Sequence, residues 1–246
     1  MTKVAGTPFM VVAAIAASAV IAACSAGPRT PDALPPKLVR LTSQDGGVIY
    51  AHVYGVGEHG VVLAHGGRFS KESWAPQARM LAKAGFHVLA IDFRGYGQSR
   101  GPGQEDIYTA PLHLDVLAGV QHLHERGAKR VAVVGGSMGG GAAANAVAAA
   151  PHTIDRLVLI GATPDGEPEQ LKVPKLYVMS RGDANSAGPR LPGLQAHFAR
   201  APEPKELIVL DGSAHAQFIF DTEHAERVMG KIVRFLSAHG PVGPAR

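Results

Sequence analysis

The pentapeptide Gly135-Gly136-Ser137-Met138-Gly139 is the stretch whose residue types and spacing could do chemistry. It is a G-x-S-x-G, set between the apolar run Val131-Ala132-Val133-Val134 and an alanine-rich segment reaching Ala150. β-Branched residues suit a strand covered on both faces and alanine favours helix, so the pattern predicts strand, sharp turn, then helix from about Met138. Flanking glycines remove the Cβ atoms that would clash in so tight a turn and leave a serine hydroxyl at its apex. The amides that follow head a helix, where they stabilise negative charge. With 30 glycines and 11 serines in 246 positions, chance gives about 0.16 such pentapeptides, so the strand–helix setting adds needed weight. A phosphate-binding loop is the main rival, but neither G-x-G-x-x-G nor G-x-x-x-x-G-K-[ST] can be laid on residues 135–141.

The elements that must position this serine come from one domain's worth of chain. A length of 246 residues with 46% hydrophobic content buries one sizeable core. The 24 basic and 20 acidic residues leave +4 with no Lys/Arg cluster, so nucleic acid is not implied. Mean hydropathy near zero argues against a multi-span membrane protein.

The front of the chain is a separate object. Lys3 precedes an almost unbroken apolar run over residues 9–23, which is short for a membrane span and suits a secretory signal. The run ends Ile21-Ala22-Ala23-Cys24, which resembles the bacterial lipoprotein signal, in which the cysteine is lipidated and becomes the first mature residue. Cys24 is the single cysteine, so it has no disulfide partner within the chain. The expectation is a signal peptide over 1–23, a small, proline-rich tether over 24–36 and a domain over 37–239, the rivals being a plain signal peptide cut near Ala26 or an uncleaved anchor. Residues 240–246 are expected to be a flexible tail. The whole would be exported and lipid-anchored to the bacterial cell envelope.

Within the domain, strands are expected at 37–42, 48–55, 61–64, 87–91, 131–134, 156–160, 175–179 and 206–210. Helices are expected at 74–84, 107–126, from 138, at 191–200 and at 222–239. Alternation across short loops means an α/β fold with a mostly parallel, doubly wound sheet of about eight strands.

On these motifs the chain resembles the α/β-hydrolase family over nearly all of 37–239. The residues that carry the resemblance are His65-Gly66-Gly67, Asp92-x-Arg94-Gly95-x-Gly97-x-Ser99 and Gly135-x-Ser137-x-Gly139, each after a strand and in family order. The resemblance implies a Ser, then Asp or Glu, then His triad with Ser137 as nucleophile. Of the histidines beyond Ser137, only His215 falls in the loop directly after a strand, at the edge where Ser137 should be exposed. Asp183, in Ser180-Arg181-Gly182-Asp183, stands where the family keeps its acid; Asp211 is the competitor and reads better as a turn former. The oxyanion donors implied are the Met138 amide and an amide of Gly67 or Arg68, a choice the sequence leaves open. His65, Asp92 and Arg94 read as loop-anchoring residues.

Other features read as structural. His122-Leu123-His124 points its imidazoles to different helix faces, so no metal site is expected, and no organic cofactor is implied. Phe218, Ile219 and Phe220 offer either the lining of an acyl pocket or packing for the last helix, with packing favoured. Arg68 and Arg181 offer either recognition of an acidic substrate group or, as is commoner, solvation. Residues 161–174 are too short for the helical cap that many relatives of this family carry, so an open site is expected. The sequence therefore predicts a serine hydrolase of carboxylic esters acting on a small-molecule acyl substrate. The same triad would serve a peptidase or an acyltransferase, and a silent envelope binding protein is the rival from another class.

Overall fold

In the computed structural model the chain divides into two units, Met1–Leu34 and Pro35–Arg246. The structure describes residues 1–2 and 36–238. The expected signal peptide beyond residues 1–2, most of the expected tether with Cys24, and the expected tail over 240–246 lie outside the described residues.

The strands are β1 (Lys37–Thr42), β2 (Val48–Tyr54), β3 (His59–Ala64), β4 (His87–Ile91), β5 (Arg130–Gly136), β6 (Arg156–Ile160), β7 (Lys175–Ser180), β8 (Ala184–Asn185), β9 (Gly188–Pro189) and β10 (Lys205–Leu210). The α-helices are α1 (Ala75–Lys83), α2 (Leu112–Glu125), α3 (Met138–Ala149), α4 (Leu191–Arg200) and α5 (Ala225–Ser237). Eight strands form one sheet in the order β1-β2-β4-β3-β5-β6-β7-β10, and β8 and β9 form a small separate hairpin. Within the eight-stranded sheet β1–β2 and β2–β4 are antiparallel and the other pairs are parallel.

Alternation along the parallel strands assigns the two faces. Val62, Ala64, Val133, Leu159 and Tyr177 pack with Val116 and Leu123 of α2, Ala143 and Val147 of α3 and Leu194 of α4. Val61, Leu63, Val134, Ile160 and Val178 pack on the other face with Ala78 and Leu81 of α1 and Val228, Ile232 and Phe235 of α5. Strands covered on both sides carry near-continuous apolar runs, as in Val88–Ile91 of β4 and Leu157–Ile160 of β6, and both strands are buried throughout, their opening His87 and Arg156 included.

Boundaries differ from expectation where short-range polar chemistry intervenes. The helix expected from 107 begins at Leu112, because Asp106 accepts from the Tyr108 amide and the Thr109 hydroxyl, closing a turn ahead of Pro111. The helix expected from 74 opens as a 3-10 turn (Lys71–Trp74), and the one expected from 222 follows a 3-10 turn at Ala216–Asp221. The β8–β9 hairpin is too short to leave a periodic signal. Between β6 and β7 the chain carries one 3-10 turn, Pro168–Gln170, and no cap.

Candidate active site

All parallel strands end at one rim, so the segments after β3, β4, β5, β7 and β10 meet there. At the end of β5 the chain turns through Ser137 at φ 49°, ψ −116°, a left-handed conformation that costs a non-glycine residue about 1–3 kcal/mol. The strain persists because the surroundings dictate it. The Ser137 amide donates to Ile160 O at 2.9 Å, and Gly140 N returns to Ser137 O at 2.9 Å. A Cβ on Gly139 would stand 2.2 Å from Ala64 O, so only glycine lets α3 start this close to β3.

Ser137 Oγ lies 2.8 Å from His215 Nε2, and His215 Nδ1 lies 2.7 Å from Asp183 Oδ2. The three residues expected from sequence are thus brought together. Asp183 is 1% exposed, while the His215 side chain keeps 29% of its surface open. The competitor Asp211 is solvated and faces Arg181 at 3.6 Å, away from the imidazole's hydrogen bonds. Three bonds join the two loops: Arg181 N to Leu210 O (2.7 Å), Gly182 N to Gly212 O (2.8 Å) and Ser180 Oγ to Ala214 O (2.7 Å).

Across the rim, residues 66–69 form a turn closed by Phe69 N donating to Gly66 O at 3.0 Å. His65, fully buried, receives Phe93 N at its Nε2 (3.3 Å) and so presents Nδ1–H to Gly66 O (2.8 Å). Burial pushes its pKa below the ordinary histidine value, consistent with that neutral tautomer. Tyr96 donates its hydroxyl to Gly67 O at 2.9 Å and touches Met138 Sδ at 3.7 Å. Gly66 N is taken by Gln217 Oε1 at 2.8 Å. Among the described residues, the Gly67 and Arg68 amides show no protein acceptor, and both residues are exposed. Met138 heads α3, where the first amides lack intrahelical partners.

The loop after β4 is an anchor, as its motif suggests. Asp92 accepts from the Lys71 amide and its Nζ, each at 2.7 Å. Arg94 grips Asp115 and Asp45 from a fully buried position, and its hydrogen bond holds the Asp45 carboxyl well below the usual range. Ser99 Oγ accepts from Tyr50 N at 2.9 Å.

Two residues at the site escaped the sequence reading. Arg190 Nε stands 3.4 Å from Asp183 Oδ1, carried there by the β8–β9 hairpin, whose base is closed by Arg190 N donating to Asp183 O at 2.9 Å. Gln217 is the other; an arginine seven residues from an acid or a glutamine two from a histidine has no motif to flag it. The favoured packing of Phe218, Ile219 and Phe220 holds for two of the three residues. Ile219 is buried and Phe220 packs edge-on to Trp74, but Phe218 is 40% exposed and pairs with Phe69 at a ring separation of 4.8 Å. The 3-10 turn points positions 217 and 219 inward and 218 out. His124, of the H-x-H pair, bonds the carbonyls of Ala128 and Thr153.

This sheet, with its serine elbow, acid and histidine at one rim, defines an α/β hydrolase. The chain belongs to that family: the model for the alpha/beta hydrolase fold matches residues 61–221. The chain is 36% identical over 143 residues to a non-heme haloperoxidase of Rhodococcus erythropolis, covering 54% of this chain and 49% of that protein. It is 42% identical over 79 residues to epoxide hydrolase A of Mycobacterium tuberculosis, covering 32% and 24%. It thus spans about half the length, or less, of these curated relatives. Its fold is similar to that of a Pyrococcus furiosus esterase, with TM-score 0.71, 22% identity, and coverage of 85% of this chain and 96% of that one.

Proposed function

We propose that the protein is a serine hydrolase that cleaves carboxylic esters of small molecules through an acyl-enzyme. The observation that carries this reading is the continuous chain Asp183–His215–Ser137, with links of 2.7 and 2.8 Å, ending on a strained serine at an open rim. A serine hydroxyl is a weak nucleophile near neutrality, and a base within hydrogen-bond reach, oriented by a third group, is what activates it.

In this mechanism Ser137 Oγ attacks the ester carbonyl carbon while its proton passes to His215 Nε2. Asp183 holds the Nδ1–H and stabilises the imidazolium that forms. The oxyanion is received by the Met138 amide and a free amide of the 66–69 turn. Collapse breaks the carbonyl–oxygen bond, and His215 returns its proton to the departing alkoxide. Water then attacks the acyl carbon, gives a proton to His215 and releases the acid, with the Ser137 proton restored. The missing cap and the Phe69–Phe218 pair beside His215 favour accessible esters with a modest apolar group.

We also propose, on the Ile21-Ala22-Ala23-Cys24 pattern alone, that the protein is exported to the bacterial envelope and lipidated at Cys24. Metabolic labelling with an alkynyl fatty acid should mark the protein and not Cys24→Ala; equal labelling of the two removes that part. The hydrolase itself is tested by a fluorophosphonate probe and a panel of p-nitrophenyl esters and peptide p-nitroanilides on wild type, Ser137→Ala and His215→Ala. Wild type should label and turn over and the variants should lose at least about 10³-fold. Unlabelled, inert wild type would favour the silent binding protein, and turnover of peptides over esters would favour the peptidase.

A further inference from the structure

Gln217 sits two residues beyond His215, yet both ends of its side chain bond to other parts of the rim. It is 5% exposed. Its Oε1 accepts from Gly66 N at 2.8 Å and its Nε2 donates to Ser73 Oγ at 2.6 Å. Gly66 opens the turn that carries the free Gly67 and Arg68 amides. Ser73 stands in the 3-10 turn that follows, and its own hydroxyl donates to Ser70 O at 2.6 Å. A carboxamide offers an acceptor and donors at one tip without charge, so a single side chain meets both demands.

The backbone around it is arranged to admit that amide. Ala216 holds φ at 51°, a strained value for a residue with a Cβ, and this turns position 217 inward immediately after the histidine. On the facing strand, a Cβ at Gly136 would stand 2.8 Å from Oε1, so the glycine before the serine leaves room for the glutamine.

Peptide geometry shows what the bond controls. In a trans peptide the C=O and N–H point opposite ways. Gly66 O is directed toward Phe69 N and His65 Nδ1, so the Gly67 N–H points away from both. Gln217 holds the peptide before Gly66 and His65 holds the one after it. The two together set the direction in which the Gly67 amide faces.

We propose that Gln217 is a positioning residue for the oxyanion-binding turn, clamping it to the loop that carries the general base. The inference rests on the hydrolase reading of Ser137. Its consequence is that donor and base are kept in register by one side chain, so loss of the clamp acts on the transition state more than on substrate binding. Deleting a whole oxyanion donor costs about 10²–10³ in kcat, so displacing one should cost about 10–100-fold.

The test uses the purified full chain with p-nitrophenyl acetate, thermal unfolding, and inhibition by a trifluoromethyl ketone, which forms a tetrahedral adduct with the serine. Gln217→Leu should lower kcat about 10–100-fold and weaken the ketone by a similar factor, with KM changed less than about threefold. Gln217→Glu, measured at pH 8, keeps an acceptor for Gly66 N but loses the donor to Ser73 Oγ, and should recover part of kcat relative to Gln217→Leu. Ser73→Ala should shift kcat and ketone affinity in the same direction by a smaller factor, and it supplies the answer if Gln217→Leu does not fold. Active wild type with Leu and Ala variants within twofold in kcat would overturn the inference alone, as would losses that only follow the folded fraction. Inert wild type would overturn the hydrolase reading and this inference with it.

Discussion

Arg94 offers the sharpest test of how the rim is held. Arg94 and Asp115 are both completely buried, joined by Nη2–Oδ1 at 2.6 Å, Nε–Oδ1 at 3.0 Å and Nε–Oδ2 at 3.1 Å. Asp115 Oδ2 also accepts the Arg94 amide at 2.9 Å, and the other arm of the guanidinium reaches Asp45 at 2.5 Å and Pro102 O at 2.7 Å. Substituting Arg94→Met keeps the stem but leaves Asp115 in the core with no counter-ion. Breaking a buried pair from one side costs about 3–5 kcal/mol, against a total of about 5–15 kcal/mol for a domain. The partner change Asp115→Leu leaves Arg94 with Asp45, which is part-exposed, and should cost somewhat less, about 2–4 kcal/mol. The double variant removes both charges and should cost well below the sum of the singles, a coupling of about 2–3 kcal/mol. Urea unfolding followed by Trp74, the chain's one tryptophan and 1% exposed, reads all four proteins. A single-variant cost under about 1 kcal/mol, or strict additivity, would mean that the buried Arg94–Asp115 pair does not hold the rim. Tyr96, two residues on, touches Gly67 and Met138, so ester turnover should fall alongside stability.

Other expectations follow from the same coordinates. Gly139→Ala drives a Cβ into the backbone oxygens of Ala64 and His65; it should cost about 1–3 kcal/mol, lower Tm by about 2–4 °C per kcal/mol and suppress turnover. An unchanged Tm with full activity would show that α3 can shift. Burial, acting first in each case, lowers the pKa of His52, His65, His87, His113, His122 and His197 from 6.5. Below pH 6.5 the unfolded chain therefore binds protons that the folded one refuses, so this stability is complete above pH 6.5 and is lost as pH falls. Urea midpoints at pH 7.5 and 5.5 check the sign; an equal or higher midpoint at 5.5 would contradict it. Phe218→Ala removes about 1 kcal/mol of apolar contact for a longer acyl group and should raise KM for p-nitrophenyl butyrate about fivefold over any change for the acetate. Equal effects on both esters would place Phe218 outside the substrate's path.

The fold and Ser137 were legible because each has a local cause in the chain, whereas Asp183 and His215 followed from the Ser, Asp, His order that the family resemblance implies. Eight apolar runs of strand length, separated by helical periodicity, leave little choice but a parallel sheet covered on both faces. The glycines around Ser137 are needed by the turn itself, and β4, β6 and α4 matched expectation residue for residue because clear turn or helix-stop signals flank them. Helix starts slipped where Asp106 and Pro111 redirected the backbone through side-chain bonds that no hydrophobic period records.

What the chain alone determined is the strand order in sequence, the strained elbow and the position of acid and histidine after late strands. The family order already favoured Asp183 over Asp211, and tertiary structure supplied the physical reason, because the β7–β10 pairing carries the Asp183 carboxylate to the imidazole. It likewise turned Phe218 outward and Gln217 inward and set Arg190 beside the acid. Such assignments arise from the meeting of segments 7 to 151 residues apart, whose distances are fixed by packing and by buried hydrogen bonds rather than by any local pattern.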